Sequence, residues 1–371
     1  MTLGGKYIIF TVMSISDFFR RHFGKKKPQI QEPEAIQAPE PKRPQERFIL
    51  ALDGGGMRGI IPVVILQKLE TCIRDNDGTD DIATYFDLIS GTSTGGLISL
   101  ALTCESALPH VEQNGNSQIN LEALLNNYMT MGKEIFQAQT SIFGLRQFVS
   151  DKYHSTNIQN LCQRWFGARS MDSAKVPTMI MAYDLSKGRQ KIITSYADDC
   201  DCPVWVAARA TSAAPTYFSP IEYKGELLVD GGVIANNPAL YAYFEAKALY
   251  PDCEKFHILS VSTGGSYHTM RMDSTRGLMN WADQVSPMFS TAQKRTTDFV
   301  ISRIRDVDYV RIDDPLPNPV KMDETNPVSL QYVKAQAHIT ATANAAKLNE
   351  FAKLLVENME ARKNASETGR A

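Results

Sequence analysis

The chain has 371 residues, 43% of them apolar and 22% charged, which suits one large α/β domain or two ordinary ones with a sizeable buried core. Its formal net charge of −2 gives no argument for a nucleic-acid partner. Cysteines stand at 72, 104, 162, 200, 202 and 253, without a CxxC pair or zinc spacing, so buried small apolar side chains and a cytosolic bias are expected.

The chain opens on an apolar stretch, Tyr7 to Met13, too short to span a bilayer. Lys6 alone precedes it and no small-residue cleavage site follows, which argues against a cleaved signal peptide. Ile15, Phe18, Phe19, His22 and Phe23 then recur at helical spacing among Arg20, Arg21 and Lys25 to Lys27. Residues 1–27 therefore read as a leader able to lie on an anionic membrane surface; a helix docked on the domain, or a start at Met13, are the alternatives. Residues 28–46 are rich in Pro, Glu and Gln and read as an extended linker.

The folded core is expected over residues 47–265. Phe48 to Leu52 is a strand-like run ending at Asp53-Gly-Gly-Gly-Met-Arg-Gly59, with helical periodicity from Ile60 to Ile73. A glycine-rich turn entering a helix presents several N–H groups to an anion. That anion could be a phosphate or the oxyanion of an acyl intermediate; the spacing matches neither a P-loop nor a dinucleotide fingerprint. Arg58 could support the turn through carbonyls or meet an anionic head group. The next strand–turn–helix runs from Asp87 to Leu102, and Gly91-Thr-Ser-Thr-Gly95 at its turn fits Gly-x-Ser-x-Gly. That pattern holds a serine on a tight turn at a helix N-terminus, Ser93 here, with Gly91 and Gly95 leaving room for close backbone approach. The two turns lie one βαβ crossover apart, so both open at the same edge of a parallel sheet.

Asn120 to Phe148 reads as helix and loop, apolar near its end through Phe136, Ile142, Phe143, Leu145 and Phe148; core packing is favoured over a cap on an acyl pocket. Asn157 to Phe166 is a short helix, and Val176 to Tyr183 and Gln190 to Tyr196 are strands with a turn at Ser186 to Gly188. Pro203 to Ala214 is a helix of small residues. Leu227 to Val233 is a strand running into Gly231 and Gly232, and Asp230 at its end is either a base or an ordinary turn-capping aspartate. Phe256 to Ser262 is one more strand, and residues 266–371 read as a mainly helical part packed on the core.

A serine nucleophile needs a proton acceptor. None of His22, His110, His154, His257, His268 and His338 follows a strand in a setting that marks it, and an aspartate in reach can serve instead. Three ordered blocks, Asp53 to Gly59, Gly91 to Gly95 and Asp230-Gly-Gly232, resemble the patatin-like phospholipases. Asp87 to Ser90, Ala213 to Phe218 and Asn236 to Ala239 agree with the same family. The resemblance implies a three-layer α/β/α sandwich around a mostly parallel sheet, related to the α/β-hydrolases. It also implies Ser93 as nucleophile, Asp230 as base, and an oxyanion hole from Gly54, Gly55 and Gly56 supported by Arg58. An acyl-serine resolved by water follows, with no metal or other cofactor.

The substrate class so implied is a phospholipid or other polar-lipid ester at a membrane surface. Head group, sn-position, oligomeric state and any activator stay open, as does transfer of the acyl group to an alcohol. The competing readings are an effector switched on by a cyclic nucleotide or host factor, and a non-catalytic lipid-binding protein. The cytoplasm, with a peripheral place at the membrane, is the expected location; secretion as an effector is the alternative.

Overall fold

A computed structural model describes residues 46–113, 116–137, 151–197, 200–265 and 278–368. By its contacts the chain divides into Met1–Arg43 and Pro44–Ala371, and every described residue belongs to the second unit. The expected leader therefore lies outside the described residues, as do Ile142, Phe143, Leu145, Phe148 and His268.

Ten strands are described. β1 (Glu46–Leu52), β2 (Leu88–Thr92), β5 (Thr178–Asp184), β9 (Lys255–Val261) and β10 (Val307–Ile312) lie in the spatial order β10-β9-β1-β2-β5, each parallel to its neighbour. β6 (Arg189–Thr194), β7 (Ile221–Tyr223) and β8 (Glu226–Asp230) extend the sheet in antiparallel fashion. A separate hairpin joins β3 (His110–Gln113) to β4 (Asn116–Ile119). The first strand starts at Glu46, the last residue of the stretch read as linker. The C-terminal part, read as mainly helical, also contributes β10, an edge strand of the main sheet. Its Asp308, Tyr309 and Arg311 obscured the apolar pattern that marks a strand.

Side chains of a strand alternate between its faces, so a strand covered on both sides reads as a continuous apolar run. β1 illustrates this. Phe48, Leu50 and Leu52 join one core cluster, while Ile49 and Ala51 join another. The first cluster holds residues of α1 (Ile60–Asp75), α2 (Thr94–Thr103), α3 (Leu121–Ile135), α4 (Ser155–Phe166), α5 (Val204–Thr211), α8 (Pro327–Ala343) and α9 (Ala345–Thr368). The second contains α6 (Ala239–Leu249) and Ile301 at the end of α7 (Leu278–Ile301). The result is the three-layer α/β/α arrangement around a mostly parallel sheet. All ten residues of α2 are buried, so this helix has no solvent face at all.

One detail of the sheet places the site. β5 pairs with β6 over Met179–Asp184 along one edge. On its other edge, Thr178–Met181 pair with Ile89–Thr92 of β2, and Ala182–Asp184 pair with β8. β8 thus enters the lane where β2 stops. Met181 faces Thr92, and the next residue, Ala182, faces Asp230.

Candidate active site

The carboxyl ends of the parallel strands line up. Leu52 of β1 is level with Gly91 of β2 and with Val261 of β9. The residues that follow them therefore open at one edge of the sheet, where open α/β folds place their sites.

Ser93 sits between β2 and α2 with φ 54° and ψ −123°, a conformation rare for any residue with a side chain. The neighbouring glycines make that sharp turn feasible. A Cβ on Gly95 would stand 2.2 Å from the Leu52 carbonyl oxygen, and one on Gly91 would stand 2.2 Å from the Gly95 carbonyl oxygen. The turn is held from behind by Thr211, whose hydroxyl accepts from the Ser93 N–H at 2.8 Å and donates to the Met181 carbonyl at 2.7 Å. Thr92 donates to the Ala235 carbonyl at 2.7 Å, tying the turn to the stretch after Asp230.

Asp230 ends β8, with only 5% of its surface exposed. Its Oδ1 accepts from Gly232 N–H at 2.7 Å, in the one-turn 3-10 segment Gly231–Val233, so the turn-capping reading is correct as far as it goes. Burial drives its carboxyl up, to about 6, and the neighbouring Ser93 side chain and the Gly232 N–H pull the other way. The structure therefore brings Ser93 and Asp230 together. Of the four described histidines, none hydrogen-bonds to either of them. His110 meets the Leu108 carbonyl, and His257 lies between Glu46 and Asp308, at the start of β1.

The glycine turn follows β1. A Cβ added to Gly54 would lie 3.2 Å from the Ser93 Cβ, so this turn packs directly on the serine. Its hydrogen bonds correct one expectation. Gly54 N–H donates to the Asn236 carbonyl at 3.0 Å and so cannot face an oxyanion without breaking that bond. The Gly54 carbonyl accepts from Asn236 Nδ2 at 3.1 Å and from Thr263 Oγ1 at 2.8 Å. Met57 N–H donates to the Met322 carbonyl at 2.8 Å, and Arg58 N–H and Nε–H both donate to the Gly55 carbonyl at 3.3 Å. Among the described residues, only the N–H groups of Gly55 and Gly56 in the Gly54–Arg58 stretch have no hydrogen-bond partner. Gly56 has φ +57°, and a Cβ there would stand 2.2 Å from the Met322 carbonyl oxygen. Arg58 meets no carboxylate among the described residues.

Beneath the turn, Asp53 is fully buried and takes a two-pronged ion pair from Arg311 of β10, both contacts at 2.7 Å, with Lys294 of α7 at 3.4 Å. Sequence reading missed Arg311, Thr211, Asn236 and Met322 as supports. They lie 258, 118, 182 and 265 residues from the positions they hold, so no local spacing connects them. Asn236 alone carried a signal, as part of the Asn236 to Ala239 match.

Fold and site together define an α/β protein with a half-buried serine on a strained strand–helix turn, a buried carboxylate beside it and a glycine turn over it. Comparison with known proteins narrows the class. The patatin-like phospholipase family model matches residues 50–243. Patatin-like protein 2 of Arabidopsis thaliana is 30% identical over 311 residues, 72% of this chain and 75% of that protein. Patatin-04/09 of Solanum tuberosum is 26% identical over 366 residues, 85% of this chain and 91% of that protein. The chain belongs to the patatin-like phospholipase family. A crystal structure of VipD from Legionella pneumophila aligns over 83% of this chain and 67% of that one, with TM-score 0.40 and 13% identity, too distant to add to the argument.

Proposed function

We propose that this protein hydrolyses fatty-acyl esters of polar lipids through a Ser93–Asp230 dyad. Asp230 takes the Ser93 hydroxyl proton as Oγ attacks the ester carbonyl carbon. The oxyanion is met by the N–H groups of Gly55 and Gly56, and Arg58 and Asn236 hold their turn in place. As the tetrahedral intermediate collapses, the protonated Asp230 gives its proton to the leaving alcohol. Asp230 then deprotonates a water that attacks the acyl-serine, releasing the fatty acid and restoring Ser93. These steps need no metal.

The observation that carries the reading is the environment of Asp230. A carboxylate with an ordinary pKa is a poor base for a serine hydroxyl; burial that raises Asp230 to about 6 strengthens it while leaving it ionised at neutral pH. Arg58 supports a substrate bearing a phosphate, because its guanidinium stands beside the glycine turn with no carboxylate partner among the described residues. Peripheral action at a membrane fits such a substrate, and no helix among the described residues is long and apolar enough to cross one.

The test is hydrolysis of a short-chain p-nitrophenyl ester and of mixed phospholipid vesicles, with chelator present, by wild type, Ser93→Ala and Asp230→Asn. Wild-type activity lost by about 10³-fold or more in both variants is expected. Normal turnover by a folded Ser93→Ala protein would overturn the mechanism. Product analysis with added glycerol separates hydrolysis from acyl transfer.

A further inference from the structure

The glycine turn borrows its outer support from a distant segment. Met57 N–H is held by the Met322 carbonyl, and that same oxygen crowds Gly56, one of the two residues whose N–H is unspent. Met322 lies in the loop between β10 and α8. What fixes Met322 is its neighbour. The Asp323 side chain is 5% exposed and accepts from both Lys152 Nζ and Tyr153 Oη, the second bond at 2.6 Å. Burial alone would raise the Asp323 carboxyl, but these two donors outweigh it and hold it below its ordinary value.

Lys152 and Tyr153 are themselves anchored. Their N–H groups donate to the carbonyls of Thr216 and Tyr217 at 3.1 and 3.0 Å. The Lys152 ammonium sits 5.3 Å from the Tyr217 ring centre, and the Tyr153 ring packs on Phe136, Tyr217 and Phe218. The anchor is therefore hydrogen-bonded and aromatic, while the loop it holds has a proline at 315, 317 and 319 and no regular structure of its own.

We propose that Asp323 is a positioning residue for the reaction, its clamp to Lys152 and Tyr153 holding the Met322 carbonyl so that the Gly55 and Gly56 N–H groups face the ester at Ser93. The proposal rests on the dyad reading above. Asp323 touches no reacting atom; it acts through one backbone hydrogen bond. A displacement of about 1 Å in oxyanion donors can cost about 10²-fold in rate, so losing the clamp should lower kcat by tenfold or more with little change in KM.

Two readouts test it in the full-length protein, on Asp323→Ala, Asp323→Asn and Lys152→Met, with Lys187→Met, which removes a remote surface pair with Glu226, as control. The first is kcat and KM on a soluble ester. The second is amide hydrogen exchange over residues 53–59, well below the melting temperature. Expected are a lower kcat at similar KM and faster exchange at Met57 in Asp323→Ala and Lys152→Met, a smaller effect in Asp323→Asn, which keeps an acceptor for Tyr153, and no change in the control. A folded Asp323→Ala with wild-type kcat and wild-type exchange would overturn the proposal, as would a fall in kcat without faster exchange. If Asp323→Ala does not fold, Lys152→Met decides on the same readouts. If the wild type hydrolyses no ester, the hydrolase reading fails, and unchanged exchange at Met57 would still sink the clamp separately.

Discussion

At the scale of single residues, the base proposed here, Asp230, would work against stability. Its folded-state pKa of about 6 lies above the ordinary 3.8, so the native protein binds this proton more tightly than the unfolded chain. The sign follows. Folding loses stability as pH rises from about 4 to 6, and above that the full cost, about 3 kcal/mol, is present. Asp230→Asn should therefore abolish activity yet stabilise the fold at pH 7, with the gain vanishing near pH 4; urea melts at both pH values check this. Hydrolysis by the wild type should rise with pH through about 6 and then level off, which a kcat/KM profile measures. Thr211 carries a second prediction. Thr211→Val strands both the Ser93 N–H and the Met181 carbonyl, so a loss of about 1–3 kcal/mol is expected together with slower turnover.

At the scale of elements, β10 matters more than its edge position suggests. Arg311 projects from it to the buried Asp53, which begins the glycine turn. Breaking such a pair leaves a carboxylate without its main partner, and Lys294 at 3.4 Å compensates only in part. Arg311→Met should cost about 3–5 kcal/mol in denaturant melts, whereas a surface pair such as Lys224–Asp201 should cost about 1 kcal/mol or less. What was legible in the sequence follows the same division. The β1–α1 and β2–α2 units, Ser93 and the Asp230 turn are local patterns, and short windows expose them. β10 was not legible, because Arg311, committed to the buried Asp53, and Asp308, which meets His257 on the other face, leave the strand without an apolar period. The spent N–H of Gly54 was not legible either, since its acceptor is 182 residues away in Asn236.

At the scale of the whole molecule, the described fold begins at Glu46, and contacts separate Met1–Arg43 from the remainder. A protein lacking residues 1–43 should fold and hydrolyse a soluble ester as the full chain does. The basic and aromatic residues of the leader give a second expectation: weaker binding of the truncated protein to anionic vesicles at low salt, measured by co-sedimentation. Equal binding by both proteins would mean that the leader contributes nothing at the membrane surface.

The shared edge of β5 carries a consequence for how the chain can be cut and rejoined. Ser93 and Asp230 meet because β2 and β8 dock end to end on one strand, not because the connections between them have a required length. The two ends of the described fold also lie together, since Arg362 of α9 donates to the Glu46 carbonyl at 3.3 Å and to Asp87 at 2.8 Å. The Ser186–Gly188 turn between β5 and β6 is exposed, with open space around Gly188. A circular permutant that links the two ends and opens at this turn keeps both dockings on β5, and with them the meeting of serine and aspartate, although its chain would reach Asp230 before Ser93.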